Sequence, residues 1–411
     1  MSQCPYVNLL DPDLYHQGHH QNKLMELRKS ADAPIVRIDD PIDGIPYWAV
    51  IGRDEVDYIC KHPELFSSEE KTAIPREFPE DVIAQQRLMM VNMDPPHHGK
   101  FRRIARKAFS PKAVESYRDI FTLYAKEIVD AVASKGECEF ITEVAAELPL
   151  MAILDLCGVP KEDRNKFFTW TNEMFFQDDE DVAGNDAHEK ALEASLNVYM
   201  YAADLALQHA RSPLNNIVGA LLDGEVEDEK LSEAEFQAFF IMLIAAGNES
   251  TRSVIAHGMR LLIENPEQLQ KLVENPDLIP GACEETLRYN PAFVAMQRAV
   301  MADVEVAGVK MKKGDKMILH WHAINLNENV FKDPLKFDVS RAQSMDIHRE
   351  HRAFGVGQHF CLGAHLARLE LHIMFQEIIP RLRNPQFAKP VKYMRDHFVN
   401  GVKEMHITFD S

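Results

Sequence analysis

The chain has 411 residues, of which 46% are hydrophobic and 27% are charged, as is ordinary for a soluble globular protein. Its formal net charge of −19 argues against non-specific binding to nucleic acid and against binding to an anionic membrane surface. The longest apolar run, Phe239–Ala246, is too short to span a bilayer, and the first residues lack a signal-peptide pattern. We therefore expect a cytoplasmic protein without a membrane anchor.

The predicted elements begin with two paired strands between residues 34 and 52, on either side of a Gly/Pro turn. Helical patterns then dominate from about residue 53 to residue 290. A hairpin is predicted around Gly308, and the tail beyond Pro390 has a strand-like pattern. Because no repeat or Gly/Ser linker interrupts the chain, we expect residues 1–411 to form a single domain, mainly α-helical with small β-sheets.

One predicted helix is unusually long. Ser232 and Glu235 form a capping-box pattern, and no proline follows until Pro266, which predicts a helix of roughly 30 residues. Its middle is apolar on nearly all sides, so the helix should cross the core. That middle contains AAGNEST, residues 245–251, whose glycine, carboxylate and hydroxyls all disfavour a buried helix. We expect a local opening of the helix there, with polar groups facing a cavity, rather than a solvent-exposed face.

A second unusual segment, AFGVGQHFCLGAHLARLE, spans residues 353–370 and contains the last of six cysteines, Cys361. One cysteine is too few for a disulfide or a closed zinc site, but it can be one axial metal ligand. The helix predicted to follow it supplies free N–H groups and the positive end of its dipole, which favour a thiolate. We interpret Cys361 as an iron ligand. Gly363 would leave room for a flat macrocycle, Phe354 would pack beside the ring, and His359 would reach an anionic group on its rim.

This cysteine segment resembles the haem-binding signature of the cytochrome P-450 superfamily, and other motifs of that family follow in order. The Glu-x-x-Arg pattern of ETLR and the sequence MDPPHHGKFRR both have counterparts there. The resemblance implies a structural network of Glu285, Arg288 and Arg341. It also implies that the haem propionates are held by His98, Arg102, Arg298 and His359, beside the ring contacts of Phe354 and Gly363.

The AAGNEST sequence is similar to the family's oxygen-activation segment. Glu249 matches the acid of that segment and Ser250 matches the neighbouring alcohol, which in the family is usually threonine. Here threonine comes one residue later, as Thr251, so either hydroxyl could serve oxygen activation, although the alignment favours Ser250. The resemblance also implies an apolar substrate pocket, although each of its wall residues could equally be plain core: Met242, Ala245, Ala246, Phe293, Val294, Met296 and Val399.

The resemblance covers about residues 5–410 and implies the cytochrome P-450 fold, with haem b between the long central helix and the helix after the cysteine. It implies a monooxygenase that uses O2 to insert one oxygen atom into a C–H bond of a hydrophobic substrate. Within the family, the chain looks most like bacterial hydroxylases of sterol side chains or methyl-branched lipids. A terpenoid or a fatty acid is the alternative substrate.

The resemblance also implies a separate source of electrons, because the sequence shows no flavin, nicotinamide or iron–sulfur motif. We expect a small acidic ferredoxin and its NAD(P)H-dependent reductase. The basic segment Lys100–Lys112 is the candidate docking face for the ferredoxin, although a solvated helix face would explain its charge pattern equally well.

Two rival interpretations belong to other functional classes. A haem-thiolate sensor without turnover would give no role to Glu249 and Ser250 inside a buried helix. A zinc protein would not explain the Glu-x-x-Arg pattern or the basic segment. Its ligands would come from His348, His351, His359, Cys361 and His365.

Overall fold

The computed structural model describes residues 6–16, 18, 20–40, 44–175, 186–227 and 229–410. Within them the α-helices are α1 (Asp13–His16), α2 (His20–Ser30), α3 (Arg53–Lys61), α4 (Glu80–Gln86), α5 (His97–Arg106), α6 (Pro111–Glu115), α7 (Arg118–Ala133), α8 (Glu147–Cys157), α9 (Arg164–Phe175), α10 (Ala187–Arg211), α11 (Ile217–Leu222), α12 (Glu233–Glu264), α13 (Pro266–Glu274), α14 (Ile279–Tyr289), α15 (Trp321–Asn325), α16 (Ile347–Glu350) and α17 (Ala364–Arg381).

The strands are β1 (Ile35–Ile38), β2 (Tyr47–Val50), β3 (Phe66–Ser67), β4 (Glu137–Glu139), β5 (Glu225–Val226), β6 (Glu229–Lys230), β7 (Ala295–Val300), β8 (Val304–Val306), β9 (Val309–Met311), β10 (Lys316–His320), β11 (Arg383–Phe387), β12 (Lys392–Tyr393), β13 (Val402–Glu404) and β14 (His406–Asp410). The predicted composition, mainly α-helical with small sheets, is confirmed.

The largest sheet has the strand order β1-β2-β10-β7-β3. The predicted first strand pair is confirmed, because β1 and β2 are antiparallel with Ile35 opposite Val50. The hairpin of β8 and β9 is confirmed as well, and Gly308 has a φ of 79°, a left-handed conformation that glycine adopts without strain. In this sheet β10 pairs in parallel with β2 and antiparallel with β7, which places Arg298 opposite Met317.

The long helix α12 has 32 residues and therefore a length of about 48 Å. Both hydrogen bonds of the predicted capping box are present, between Ser232 and Glu235. The predicted local opening is wrong, because the helix is continuous through the AAGNEST segment. Gly247 instead allows a close contact with α8: an added Cβ would lie 3.0 Å from Cγ1 of Ile153. Close packing therefore explains the glycine without a break in the helix.

The main hydrophobic core lies among α7, α8, α12 and α17, which contribute Phe121, Leu154, Phe240 and Leu369 among others. Smaller clusters lie on the largest sheet, where α2 and α3 pack. Among the described residues, no helix combines the length and the apolar character that are needed to cross a membrane. The central helix α12 and the later helix α17 thus share one core, and the cysteine loop joins that core at the start of α17.

Candidate active site

The cysteine loop, residues 353–363, ends at α17, which begins at Ala364 with Gly363 as its N-cap residue. The N–H of Cys361 donates a hydrogen bond to the carbonyl oxygen of Phe354 at 2.8 Å, which closes the loop. The N–H of Gly363 donates to the sulfur of Cys361. The sulfur therefore lies directly before a helix N-terminus, where a backbone N–H group points at it.

The surroundings of Cys361 favour its thiolate in part. Burial raises the pKa of the Cys361 thiol, whereas the N–H of Gly363 and the cations of Arg102 and Arg368 act in the opposite direction. Coordination to a metal ion would outweigh the cost of burial, because a coordinating thiol is deprotonated outright. The donor set thus fits a sulfur ligand to iron.

Two glycines of this loop have conformations that other residues disfavour. The φ angles of Gly355 and Gly357 are 70° and 75°. A Cβ atom on Gly357 would lie 2.5 Å from the carbonyl oxygen of Cys60 in α3, so a side chain cannot be accommodated there. The glycine spacing thus lets the loop turn tightly while it packs against α3.

A group of cationic and donor side chains lies next to this loop. His98 and Arg102 are one turn apart on α5, Arg298 is on β7, and the rings of His98 and His359 are 4.2 Å apart between centroids. Burial, together with the positive charges of Arg102 and Arg298, lowers the pKa of His98 to about 4. The pKa of His359 is also well below its usual value, because of burial and then of Arg298 and His98.

This cationic group fits an anion. His98 is only 2% exposed, and its Nε2 atom is buried without a hydrogen-bond partner among the described residues. The positive charges of Arg102 and Arg298 raise the electrostatic potential around it, and a carboxylate of a bound group would supply both the missing acceptor and the opposite charge. Haem carries two such carboxylates. The structure therefore brings together all four residues for which sequence analysis predicts propionate contacts.

The polar segment of α12 presents its side chains in different directions. The Ser250 hydroxyl is partly exposed and donates to the carbonyl oxygen of Ala246 at 2.6 Å. Thr251 is 3% exposed and faces the protein interior. Glu249 is 1% exposed, and its Oε1 lies 3.1 Å from Nη2 of Arg252. Burial raises the pKa of Glu249, and the Arg252 cation opposes that rise.

Two residues of α9 that sequence analysis missed hold this segment of α12. Asn172 Oδ1 accepts a hydrogen bond from Arg252 at 3.0 Å, and the Thr171 hydroxyl accepts one from the Asn248 side chain at 3.2 Å. Arg252 thus contacts both Glu249 and α9. No local sequence signal identifies these pairs, since their members are about 80 positions apart in the chain.

The predicted network of Glu285, Arg288 and Arg341 is present. Arg288 donates to both carboxylate oxygens of Glu285, at 2.7 and 2.9 Å, and Arg341 donates to Oε2 at 2.9 Å. Arg288 also donates to the carbonyl oxygens of Asn325 and Pro334, each at 3.0 Å. Because Arg288 is fully buried, these bonds satisfy a charge that would otherwise be very costly.

Residues 62–386 match the family model of cytochrome P-450. The chain belongs to the cytochrome P-450 family. It is similar to a steroid C26-monooxygenase of Rhodococcus jostii, with 35% identity over 97% of this chain and 84% of the relative. It is also similar to a methyl-branched lipid omega-hydroxylase of Mycobacterium tuberculosis, with 32% identity over 92% and 87% of the two chains.

A solved structure of a Mycobacterium marinum cytochrome P-450 in complex with pseudoionone superposes with a TM-score of 0.88 at 29% identity, covering 100% of both chains. The cytochrome P-450 fold predicted from the sequence is thus confirmed. This P-450 is a monooxygenase, and its cofactor is haem held by a cysteine thiolate. The zinc interpretation is wrong, because the cofactor of this family is haem.

The predicted wall of the P-450 substrate pocket divides into two groups. Side chains that are at least partly exposed are those of Met242, Ala245, Ala246, Phe293 and Met296. The other two are fully buried: Val294 packs with the cluster beneath the largest sheet, and Val399 packs against Met394 and Phe398. The backbone of Val399 is bridged to Phe293, so it supports a predicted wall residue. Contact of all seven with substrate stays a prediction.

Proposed function

We propose that this cytochrome P-450 hydroxylates a sterol or steroid side chain, or the end of a methyl-branched lipid. The observation that carries the proposal is the 35% identity to a steroid C26-monooxygenase over 97% of the chain. The apolar side chains of Met242, Ala245, Phe293 and Met296 support it, because a wall without charge suits a hydrocarbon chain. The relative that hydroxylates methyl-branched lipids at their omega position supports the same substrate class.

Haem, when bound, supplies the iron that activates O2 for transfer of one oxygen atom to the substrate. We assign Cys361 as the iron ligand, with the Gly363 N–H stabilising its sulfur and Phe354 packing beside the ring. The propionates would be held by His98, Arg102, Arg298 and His359. The supporting observation is the buried Nε2 of His98, which lies beside two arginines and has no hydrogen-bond partner in the part of the chain that the structure describes.

Glu249 and Ser250 are assigned to proton delivery in the substrate cavity. The raised pKa of Glu249 lets this buried carboxyl hold a proton at a higher pH than an exposed glutamate would. Ser250 presents a hydroxyl on the partly exposed face of α12, whereas Thr251 faces the interior. We therefore assign the alcohol role to Ser250 and a packing role to Thr251.

The ion-pair network of Glu285, Arg288 and Arg341 is assigned a structural role. Arg288 and Arg341 both donate to carbonyl oxygens between residues 325 and 336, so the network ties this segment to α14. We further propose that residues 1–411 form a single haem-thiolate monooxygenase domain.

Electrons are proposed to come from a small acidic ferredoxin that docks on the basic end of α5. Lys100 and Arg103 already pair with Glu227, at 3.6 and 3.0 Å. Arg106 and Lys107 are exposed and extend the positive surface beyond that pair. The Arg102 guanidinium donates to the carbonyl oxygen of Phe360 at 2.5 Å, so α5 directly contacts the cysteine loop. Docking at α5 would therefore bring the donor close to the sulfur side of the haem.

The test is reconstituted turnover with ferredoxin, reductase and NAD(P)H on four matched substrates: a sterol enone, a methyl-branched lipid, an acyclic terpenoid and a straight-chain fatty acid. We expect binding spectra and hydroxylated products, identified by mass spectrometry, for the first two. Products from only the last two would overturn the substrate proposal. Full haem loading without product from any of the four would contradict all four substrate classes.

A further inference from the structure

Glu284, the neighbour of Glu285, belongs to a second buried network on another face of α14. Its carboxylate accepts hydrogen bonds from Arg368 of α17 at 2.6 and 3.0 Å and from Nε2 of His351 at 2.8 Å. Nδ1 of His348, a more exposed residue, lies 3.7 Å from the same carboxylate. Although burial alone would raise the pKa of Glu284, the bonds from His351 and Arg368 hold it well below its usual value. Glu284 is therefore an anion paired with a cation in the interior.

The protonation state of His351 follows from its two hydrogen bonds. The N–H of Ala353 donates to Nδ1 of His351 at 3.2 Å, so Nδ1 is an acceptor and carries no hydrogen. The hydrogen must then be on Nε2, which donates it to Glu284. His351 is thus neutral, and the network contains one anion and one cation that nearly cancel.

The cation of this network lies over the ring of Phe354. The Cζ atom of Arg368 is 4.4 Å from the centroid of that ring. Phe354 in turn accepts the hydrogen bond from the N–H of Cys361, at 2.8 Å. A continuous path of contacts therefore connects Glu284 through Arg368 and Phe354 to the cysteine. The field of the Arg368 cation also favours the thiolate of Cys361.

We propose that Glu284, Arg368 and His351 are positioning residues that set the reduction potential of the haem iron through the cysteine loop. The inference rests on the proposed ligation by Cys361. One-electron reduction adds a negative charge at the iron, so a nearby cation favours reduction and a nearby anion opposes it. The negative charge of Glu284 partly cancels the field of Arg368. Its hydrogen bonds also fix the Arg368 guanidinium over Phe354, and this position determines how strongly Arg368 stabilises the Cys361 thiolate.

The experiment is a spectroelectrochemical titration of the purified haem-loaded protein. Glu284→Gln should raise the reduction potential and Arg368→Gln should lower it. Coulomb's law gives roughly a tenfold change in an equilibrium constant for a unit charge on the order of 10 Å away at a dielectric constant of about 20, and we expect changes of that order in the ferric–ferrous equilibrium. Arg368→Lys keeps the positive charge but loses the bidentate hydrogen bond to Glu284. We therefore expect nearly the wild-type reduction potential, but a weaker carbon-monoxide band of thiolate-bound haem.

Matched controls separate this network from a general effect on folding. Glu377→Gln makes the same charge change at the far end of α17, where Glu377 pairs with Arg381, and should leave the potential unchanged. The double variant Glu284→Gln/Arg368→Gln leaves no unpaired charge and should return to nearly the wild-type potential. If a single variant loses haem, the reduction potential of the double variant still tests the proposal.

Shifts of the same sign in both single variants, or a double variant that shifts as far as either one, would overturn the proposal. Failure of the underlying assignment looks different. If Cys361→Ser keeps the carbon-monoxide band of thiolate-bound haem, the ligand assignment is wrong, whatever Glu284 and Arg368 do.

Discussion

The Ser250 hydroxyl donates a hydrogen bond to the carbonyl oxygen of Ala246, one turn earlier in α12, at 2.6 Å. This bond fixes the rotamer of a serine, which lacks the methyl group that restrains threonine in a helix. Thr251 is about 100° away around the same helix and is buried, so the two hydroxyls do not share a face. The local structure therefore distinguishes two side chains that have nearly the same chemistry.

The first prediction concerns these hydroxyls. Ser250→Ala should keep substrate binding and NAD(P)H consumption but divert much of the flux to hydrogen peroxide, because proton delivery loses its hydroxyl. Thr251→Ala should have little effect on the fraction of NAD(P)H consumption that yields product. Ser250→Thr is the matched control, because it keeps a hydroxyl at this position in the form of the threonine that is usual in the family. The measurement is product formed and hydrogen peroxide released per NAD(P)H consumed. If Thr251→Ala uncouples turnover and Ser250→Ala does not, our assignment is off by one residue.

The second prediction is a pH dependence. The raised pKa of Glu249 means that its carboxyl holds a proton to a higher pH than usual, and turnover limited by proton delivery should fall as pH rises through that pKa. Glu249→Gln should lower turnover and flatten this decline. Arg252→Gln removes the cation that lowers the pKa of Glu249, so the decline should move to higher pH. Profiles of turnover against pH for the three proteins test this; an unchanged profile in both variants would contradict it.

The third prediction concerns electron delivery. Arg106→Glu together with Lys107→Glu should slow ferredoxin-driven turnover several-fold and weaken its dependence on salt, because complementary charges steer association. Turnover driven by added hydrogen peroxide should barely change. Lys29→Glu on α2, also exposed, is the control and should affect neither assay. Equal losses in both assays for the α5 variant would point to damaged folding instead of docking.

The fourth prediction is a loss of stability. Glu285→Gln would leave Arg288 and Arg341 buried without their carboxylate, which should cost about 3–5 kcal/mol in the free energy of unfolding. Glu267→Gln, at an exposed position of α13, should stay within about 0.5 kcal/mol of the wild type. Denaturant unfolding followed by circular dichroism and by haem absorbance measures both. Equal stability of the two variants would refute a structural role for Glu285.

Local patterns in the sequence predict much of this architecture. The capping box at Ser232, the hairpin at Gly308 and the Glu285–Arg288 pair each depend on residues close together in the chain, and all are present. The cationic group could be predicted through the family resemblance. The opening at Gly247 was wrong because the sequence does not show that Ile153 of another helix packs against that glycine.

Ion-pair partners that depend on tertiary structure could not be predicted from the sequence. Glu284 and Glu285 are adjacent and chemically equivalent, yet one pairs with Arg368 and the other with Arg288 and Arg341. Successive residues of a helix point about 100° apart, so the two carboxylates reach different neighbours. Which neighbours these are depends on α17 and on the segment before the cysteine loop, and no spacing rule encodes that arrangement.

The bond between Arg252 and Asn172 links the acidity of Glu249 to a second helix. Arg252 contacts Glu249 on its own helix and Asn172 on α9, so the position of α9 affects the cation that stabilises the Glu249 carboxylate. Any displacement of α9 would therefore move this cation and change the proton affinity of Glu249. The acidity of this buried carboxyl thus depends on a hydrogen bond to a neighbouring helix and not on its own helix alone.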